Sequence, residues 1–143
     1  MIKKLLIIFL LLSGTSVVAQ SKDMIIGHWL NATGDARVQI FSNGSRYFGK
    51  ISWLKQPLTE SGSPKLDRFN PHPELKKRPL MGLFILKDFV FKNNVWEGGS
   101  IYDPKTGKTY ECRISLKHQD TLNVRGFVGV SILGRTENWS RVK

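Results

Sequence analysis

GGSIYDPKTGKTYECRI, residues 98–114, admits two readings with opposite structural consequences. Gly107-Lys108-Thr109 matches the end of a phosphate-binding loop, which would start an α-helix, whereas the alternation that follows would make a strand. Spacing decides between them. A phosphate loop requires another glycine five positions ahead of Gly107, and Tyr102 stands there. Past the turn, Tyr110, Cys112, Ile114 and Leu116 fall on one face of an extended chain with other residues between them. Residues 103–107, Asp-Pro-Lys-Thr-Gly, are turn chemistry, with proline fixing φ and glycine supplying a left-handed residue. The stretch therefore reads as strand, turn, strand. Gly98-Gly99 on the incoming strand predicts a bulge or sharp bend. Cys112, the single cysteine, falls on the buried face; it is read as a packed, inert thiol, and no intramolecular disulfide can form.

The same period-two pattern extends in both directions, and no long amphipathic helix interrupts it. Upstream, strands are predicted at residues 27–31, around Val38 and Ile40, and at 46–54. The Asn43-Gly44 pair supplies the two positive-φ positions of a tight hairpin. Downstream, strands are predicted at 80–87, 95–102, 108–117, 121–130 and 134–141, with the run 80–86 apolar on both faces and so placed deeper. Residues 55–79 hold five of the six prolines, a density that no strand interior tolerates. A segment of that length is predicted to be a docked, proline-rich loop. The fold expected is all-β: a single antiparallel barrel of about eight strands, closed on itself so that no edge is exposed.

Residues 1–19 are read as a signal peptide. Lys3 and Lys4 precede eight apolar residues, and Ala19 offers a small residue for cleavage before Gln20. The uncharged run is shorter than the roughly 20 residues a spanning helix needs. Residues 20–143 would then form one exported domain, periplasmic or secreted, with no transmembrane segment. Loss of the leader lowers the formal net charge from +11 to +9. Export argues against nucleic acid as the partner of that charge and favours an anionic envelope component.

Sites of chemistry are sparse. Gly129-Val130-Ser131-Ile132-Leu133 lacks the second glycine of a nucleophile elbow, and His28, His72 and His118 are far apart in sequence. No metal or cofactor site and no catalytic residue is predicted. Two constellations are singled out instead. Asp67 and Asn70 in the long loop, with Tyr102 and Asp103 where a strand leaves the sheet, are expected to meet Arg78 or Arg125 at one rim, forming a polar mouth over an apolar interior. The competing reading is that these groups simply tie the loop down by hydrogen bonds. At the other constellation, an arginine of the last strand, Arg135 ahead of Arg141, is expected to lie over the early Trp29, with Trp139 on the same closing strand.

These residues coincide with a wider pattern. It comprises Gly27-x-Trp29, Tyr47-x-Gly49-x-Ile51-x-Trp53, Asp67-x-x-Asn70, Arg78-Pro79-Leu80-x-Gly82, Trp96-x-Gly98-Gly99-x-Ile101-Tyr102-Asp103-Pro104, Gly107-Lys108-x-Tyr110-x-Cys112, Leu122-x-Val124-Arg125-Gly126 and Leu133-Gly134-Arg135-Thr136-x-x-Trp139. The pattern resembles the bacterial exported family known as domain of unknown function 2147. That resemblance implies an exported β-rich domain and transfers no catalytic residue. Gly27-x-Trp29 with a late-strand arginine is also similar to lipocalin-like barrels, which often hold one small apolar ligand.

Two functions follow as expectations, with an enzyme using Asp67, Tyr102, Asp103 or Arg125 ranked behind both. The first is an exported protein that binds a small apolar or amphipathic molecule inside the barrel. The alternative is a basic interaction module that docks on anionic envelope polymer or lipid headgroups.

Overall fold

In the computed structural model the described residues are 21–143, preceded only by Gly14; the predicted leader, apart from that glycine, lies outside them. Eight strands form: β1 (Gly27–Leu30), β2 (Ala36–Asn43), β3 (Arg46–Leu54), β4 (Phe84–Lys92), β5 (Val95–Asp103), β6 (Lys108–His118), β7 (Thr121–Phe127) and β8 (Arg135–Arg141). Each pairs antiparallel with the next. β8 returns to β1 through Trp29↔Arg141 and Leu30↔Ser140, which closes the sheet into a barrel.

Alternation produces the core. Val38 and Ile40, Tyr47 and Ile51, Cys112 and Ile114, and Leu122 and Val124 are buried, while the side chains between them are less so. A strand follows Gly107, as spacing required. The turn ahead of it is closed by Gly107 N–H donating to the Asp103 carbonyl at 2.8 Å. Gly98 has φ +75°, and the β5–β6 register shifts between Trp96 and Gly99, so the glycine pair is a bulge.

Three strand boundaries differ from expectation by more than one residue, among them the end of β4, which runs on to Lys92 rather than stopping at residue 87. β4 starts at Phe84 rather than residue 80, because Leu83 N–H donates to the Leu80 carbonyl and folds residues 80–83 into a turn. That turn is fastened to β3 by Ile51 N–H to Leu83 O and Gly82 N–H to Ile51 O. β7 stops at Phe127 rather than 130, where two further backbone bonds, Val130 N–H to Val128 O and Leu133 N–H to Val130 O, coil the chain.

The two ends of the barrel differ. At one, the 3-10 turn Lys22–Ile25, which sequence periodicity did not anticipate, lies across the opening as a plug. Trp29 Nε1 donates to Ile25 O at 2.9 Å, Trp96 Nε1 to Lys22 O at 3.0 Å, and the Tyr47 hydroxyl to Asp23 at 2.8 Å. The arginine over Trp29 is Arg141, its guanidinium carbon 4.3 Å from the ring centroid, and not Arg135. The reason is register. Arg141 is the direct partner of Trp29 across the β1–β8 seam, whereas Arg135 pairs with Gly126 at the opposite end. Arg141 also donates to the Met24, Ile26 and Gln119 carbonyls. Trp139 is buried in the core.

Candidate functional site: the open half of the barrel

At the other end the strands are joined by longer segments, and the interior is not filled. A cleft of about 1340 Å³ runs from the barrel interior to its mouth. Its floor and walls include Val38, Ile51, Ile85, Val124 and Trp139. Strand alternation aims Val38, Ile51, Val124 and Trp139 inward, and Ile85, buried beside Leu86, sits at a register shift between β3 and β4. Gly126 lies on the same inward row of β7 as Leu122 and Val124, and it leaves space where any other residue would place a side chain. A β-carbon there would meet Ile101 and Tyr110 at ordinary contact distances of 3.6 Å.

Residues 55–83 connect β3 to β4 beside this mouth. The segment makes isolated bridges, Leu58↔Pro64 and Leu66↔Pro79, and one short 3-10 turn, Pro73–Leu75. Its anchor is Asp67, which is completely buried. One carboxylate oxygen accepts from the Tyr102 hydroxyl at 2.6 Å; the other accepts from Arg78 Nε at 2.9 Å and Asn70 Nδ2 at 2.9 Å. Its backbone is held too, with Asp67 N–H donating to Arg78 O. Burial, then the bond to the Asp67 carboxylate, pushes the Tyr102 phenol up to about 12. The loop also touches the β5–β6 turn, where a side chain at Gly107 would overlap the Phe69 carbonyl.

Of the six residues expected at a polar mouth, Asp67, Asn70, Arg78 and Tyr102 come together, but as the anchor of the loop rather than as the mouth: of these four, Tyr102 alone lines the cleft, and Asp67 and Asn70 are buried. Two do not join them. Asp103 lines the cleft, but its carboxylate folds back on its own turn, accepting from Lys105 N–H at 2.9 Å and the Thr106 hydroxyl at 3.2 Å. An aspartate at the first position of a turn finds local donors sooner than distant ones. Arg125 sits on β7 between the inward-facing Val124 and Gly126, so alternation turns it outward; it donates to the Thr136 hydroxyl at 2.7 Å and the Ile132 carbonyl at 3.2 Å.

Several residues of the cleft escaped sequence reasoning. Tyr110, Glu137 and Arg135 line it from β6 and β8, and Leu58, Leu66 and Phe69 line it from the loop. The strand residues had a readable signal, because Arg135 and Glu137 share the inward row of Trp139. The loop residues had none. Cys112 is buried, and burial pushes its thiol up to about 12, which leaves it unreactive. Among the described residues, no three His, Cys, Asp or Glu side chains gather as a metal site would require, and no helix is long and apolar enough to cross a membrane.

The arrangement defines a class: a closed, eight-stranded, lipocalin-like antiparallel barrel, plugged at one end and hollow toward the other. A similar barrel is seen in protein HP1028 from the human pathogen Helicobacter pylori, which belongs to the lipocalin family; the match has a TM-score of 0.70 at 22% identity and covers 82% of each chain. The chain belongs to the family described as "Uncharacterized protein conserved in bacteria (DUF2147)", whose model matches residues 27–141. No curated protein matches the chain.

Proposed function

We propose that the chain is an exported bacterial protein that holds a small apolar or amphipathic molecule in the open half of its barrel. The cleft carries this reading. Its depth is walled by aliphatic and aromatic side chains and its rim is polar, the distribution by which a site holds an apolar body through burial and orients it by a few polar contacts. The lipocalin-like architecture agrees with it. In this reading the Asp67 cluster keeps residues 55–83 beside the mouth, and binding rather than catalysis is the activity. Export rests on the leader read at residues 1–19, and intact-mass measurement of the protein from the cell envelope should give a chain beginning at or near Gln20.

Gly126→Leu tests the cleft, because φ at Gly126 is ordinary and the added side chain enters the void. Native mass spectrometry of envelope-purified protein should show a bound small molecule in the wild type and not in the variant. Titration with an environment-sensitive apolar dye should show the same difference, at an unchanged melting temperature. A wild type that carries no molecule and takes up no dye would overturn the proposal.

A further inference from the structure

We infer that the open end of the barrel docks on an anionic lipid bilayer through the β7–β8 loop. Residues 128–134 of this loop, Val-Gly-Val-Ser-Ile-Leu-Gly, carry no charged side chain. Four aliphatic residues within six positions are held out to solvent: Val128 is 74% exposed, Val130 53%, Ile132 82% and Leu133 79%. Surfaces destined for water alone rarely gather such a patch. The loop is braced in this shape from below. Gly129 N–H donates to the Glu111 carboxylate at 3.0 Å, and Arg125 holds the Ile132 carbonyl.

Charge selects what covers the patch. Lys55, Lys65 and Arg68 from the 55–83 segment and Arg135 at the start of β8 line the same mouth, together with the exposed Leu58, Leu66 and Phe69, and the Arg68 guanidinium lies 4.6 Å from the Phe69 ring centroid. Of the acids at this rim, Asp35 is taken up by Lys105 at 2.7 Å and Asp103 by its own turn, leaving Glu60 and Glu137. Aliphatic tips at the same end as a cationic rim match the two layers of an anionic bilayer, with the tips entering the acyl boundary and the rim meeting the headgroups. A second copy would match the tips but would bring like rims together on a chain that without its leader carries a formal net charge of +9. Docking there would set the barrel mouth against the lipid. The inference goes beyond ligand holding and does not depend on it.

The test uses protein recovered from the cell envelope, with loss of the leader verified by intact mass. Co-sedimentation is compared on vesicles of phosphatidylethanolamine with phosphatidylglycerol and on vesicles of phosphatidylcholine alone. The wild type should partition onto the anionic vesicles. Ile132→Asp combined with Leu133→Asp should reduce partitioning by about tenfold or more, since two side chains leave the acyl boundary. Lys65→Ala with Arg68→Ala should weaken binding and flatten its salt dependence. Gly126→Leu should bind vesicles like the wild type, which separates failure of the cleft from failure of docking. Equal binding by the aspartate variant would mean general adsorption by lysine and would overturn the inference. So would absence of anionic-vesicle binding, including the case in which sedimentation velocity shows the wild type self-associating and the aspartate variant monomeric.

Discussion

At the plugged end, Trp29, Trp96 and Arg141 each reach a backbone carbonyl of residues 22–26, and Tyr47 reaches the Asp23 carboxylate. At the open end, Tyr102, Arg78 and Asn70 all reach one side-chain carboxylate, that of Asp67. Carbonyl acceptors neither titrate nor disappear on substitution, so most of the acceptors that hold the plug survive single changes around it. The loop beside the mouth gathers these side-chain bonds on a single carboxylate. One end is built to stay shut, and the other can be loosened at one side chain.

The most severe way to break the plugged end is to remove its filler. Trp29→Ala should cost about 4 kcal/mol, because the ring is wholly buried and its cavity cannot collapse against a closed sheet; urea denaturation followed by circular dichroism measures it. At the open end, Asp67→Ala should cost about 3 kcal/mol by stranding the Tyr102 hydroxyl and Arg78. Limited proteolysis should then cut first within residues 55–83, leaving the barrel intact. Cleavage beginning instead in the strands would show that the carboxylate supports the barrel rather than the loop.

Alkaline titration sharpens the contrast, because Tyr47 at the plug and Tyr102 at the loop are both pushed up to about 12 from 10, first by burial and then by their aspartate partners. A raised tyrosine pKa means that the unfolded chain loses its proton first. The stability is fully present below pH 10 and is lost as pH rises toward 12, about 3 kcal/mol for each group. Thermal melts across that window should show the fall, and Tyr102→Phe should remove part of it. The smallest effects separate the two arginines of β8. Arg141→Ala should cost about 1–2 kcal/mol through its contact with Trp29 and its carbonyl bonds, while Arg135→Ala should change the denaturation midpoint by less than about 0.5 kcal/mol.

What could be read in advance was local. Asn43-Gly44 announced a hairpin, Gly98-Gly99 a bulge, and the inward face of Cys112 and Ile114 followed from period two. What could not be read was alignment between distant segments. Arg135 and Arg141 lie on the same inward row of β8, and only the seam with β1 decides which of them reaches Trp29. The plug Lys22–Ile25 is too short to carry any periodicity. Asp67, Asn70, Arg78 and Tyr102 were grouped correctly because the loop ends beside the strand that carries Tyr102. Asp103 was placed with them as the neighbour of Tyr102, and Arg125 as the alternative to Arg78; both placements ignore that neighbouring strand residues face opposite sides.

The bonds from Arg141 to the carbonyls of Met24 and Ile26 join positions 117 and 115 residues apart. In time, this means that a chain growing from its amino end makes the floor of its barrel early and cannot fasten it until Arg141, more than a hundred residues later, has emerged. Until then β1 is an unpaired edge on one side, the state in which a β-protein is most exposed to pairing with the wrong neighbour. Folding is therefore a closing step taken by the whole chain at once, on the slow timescale of long-range sheet pairing, roughly milliseconds to seconds.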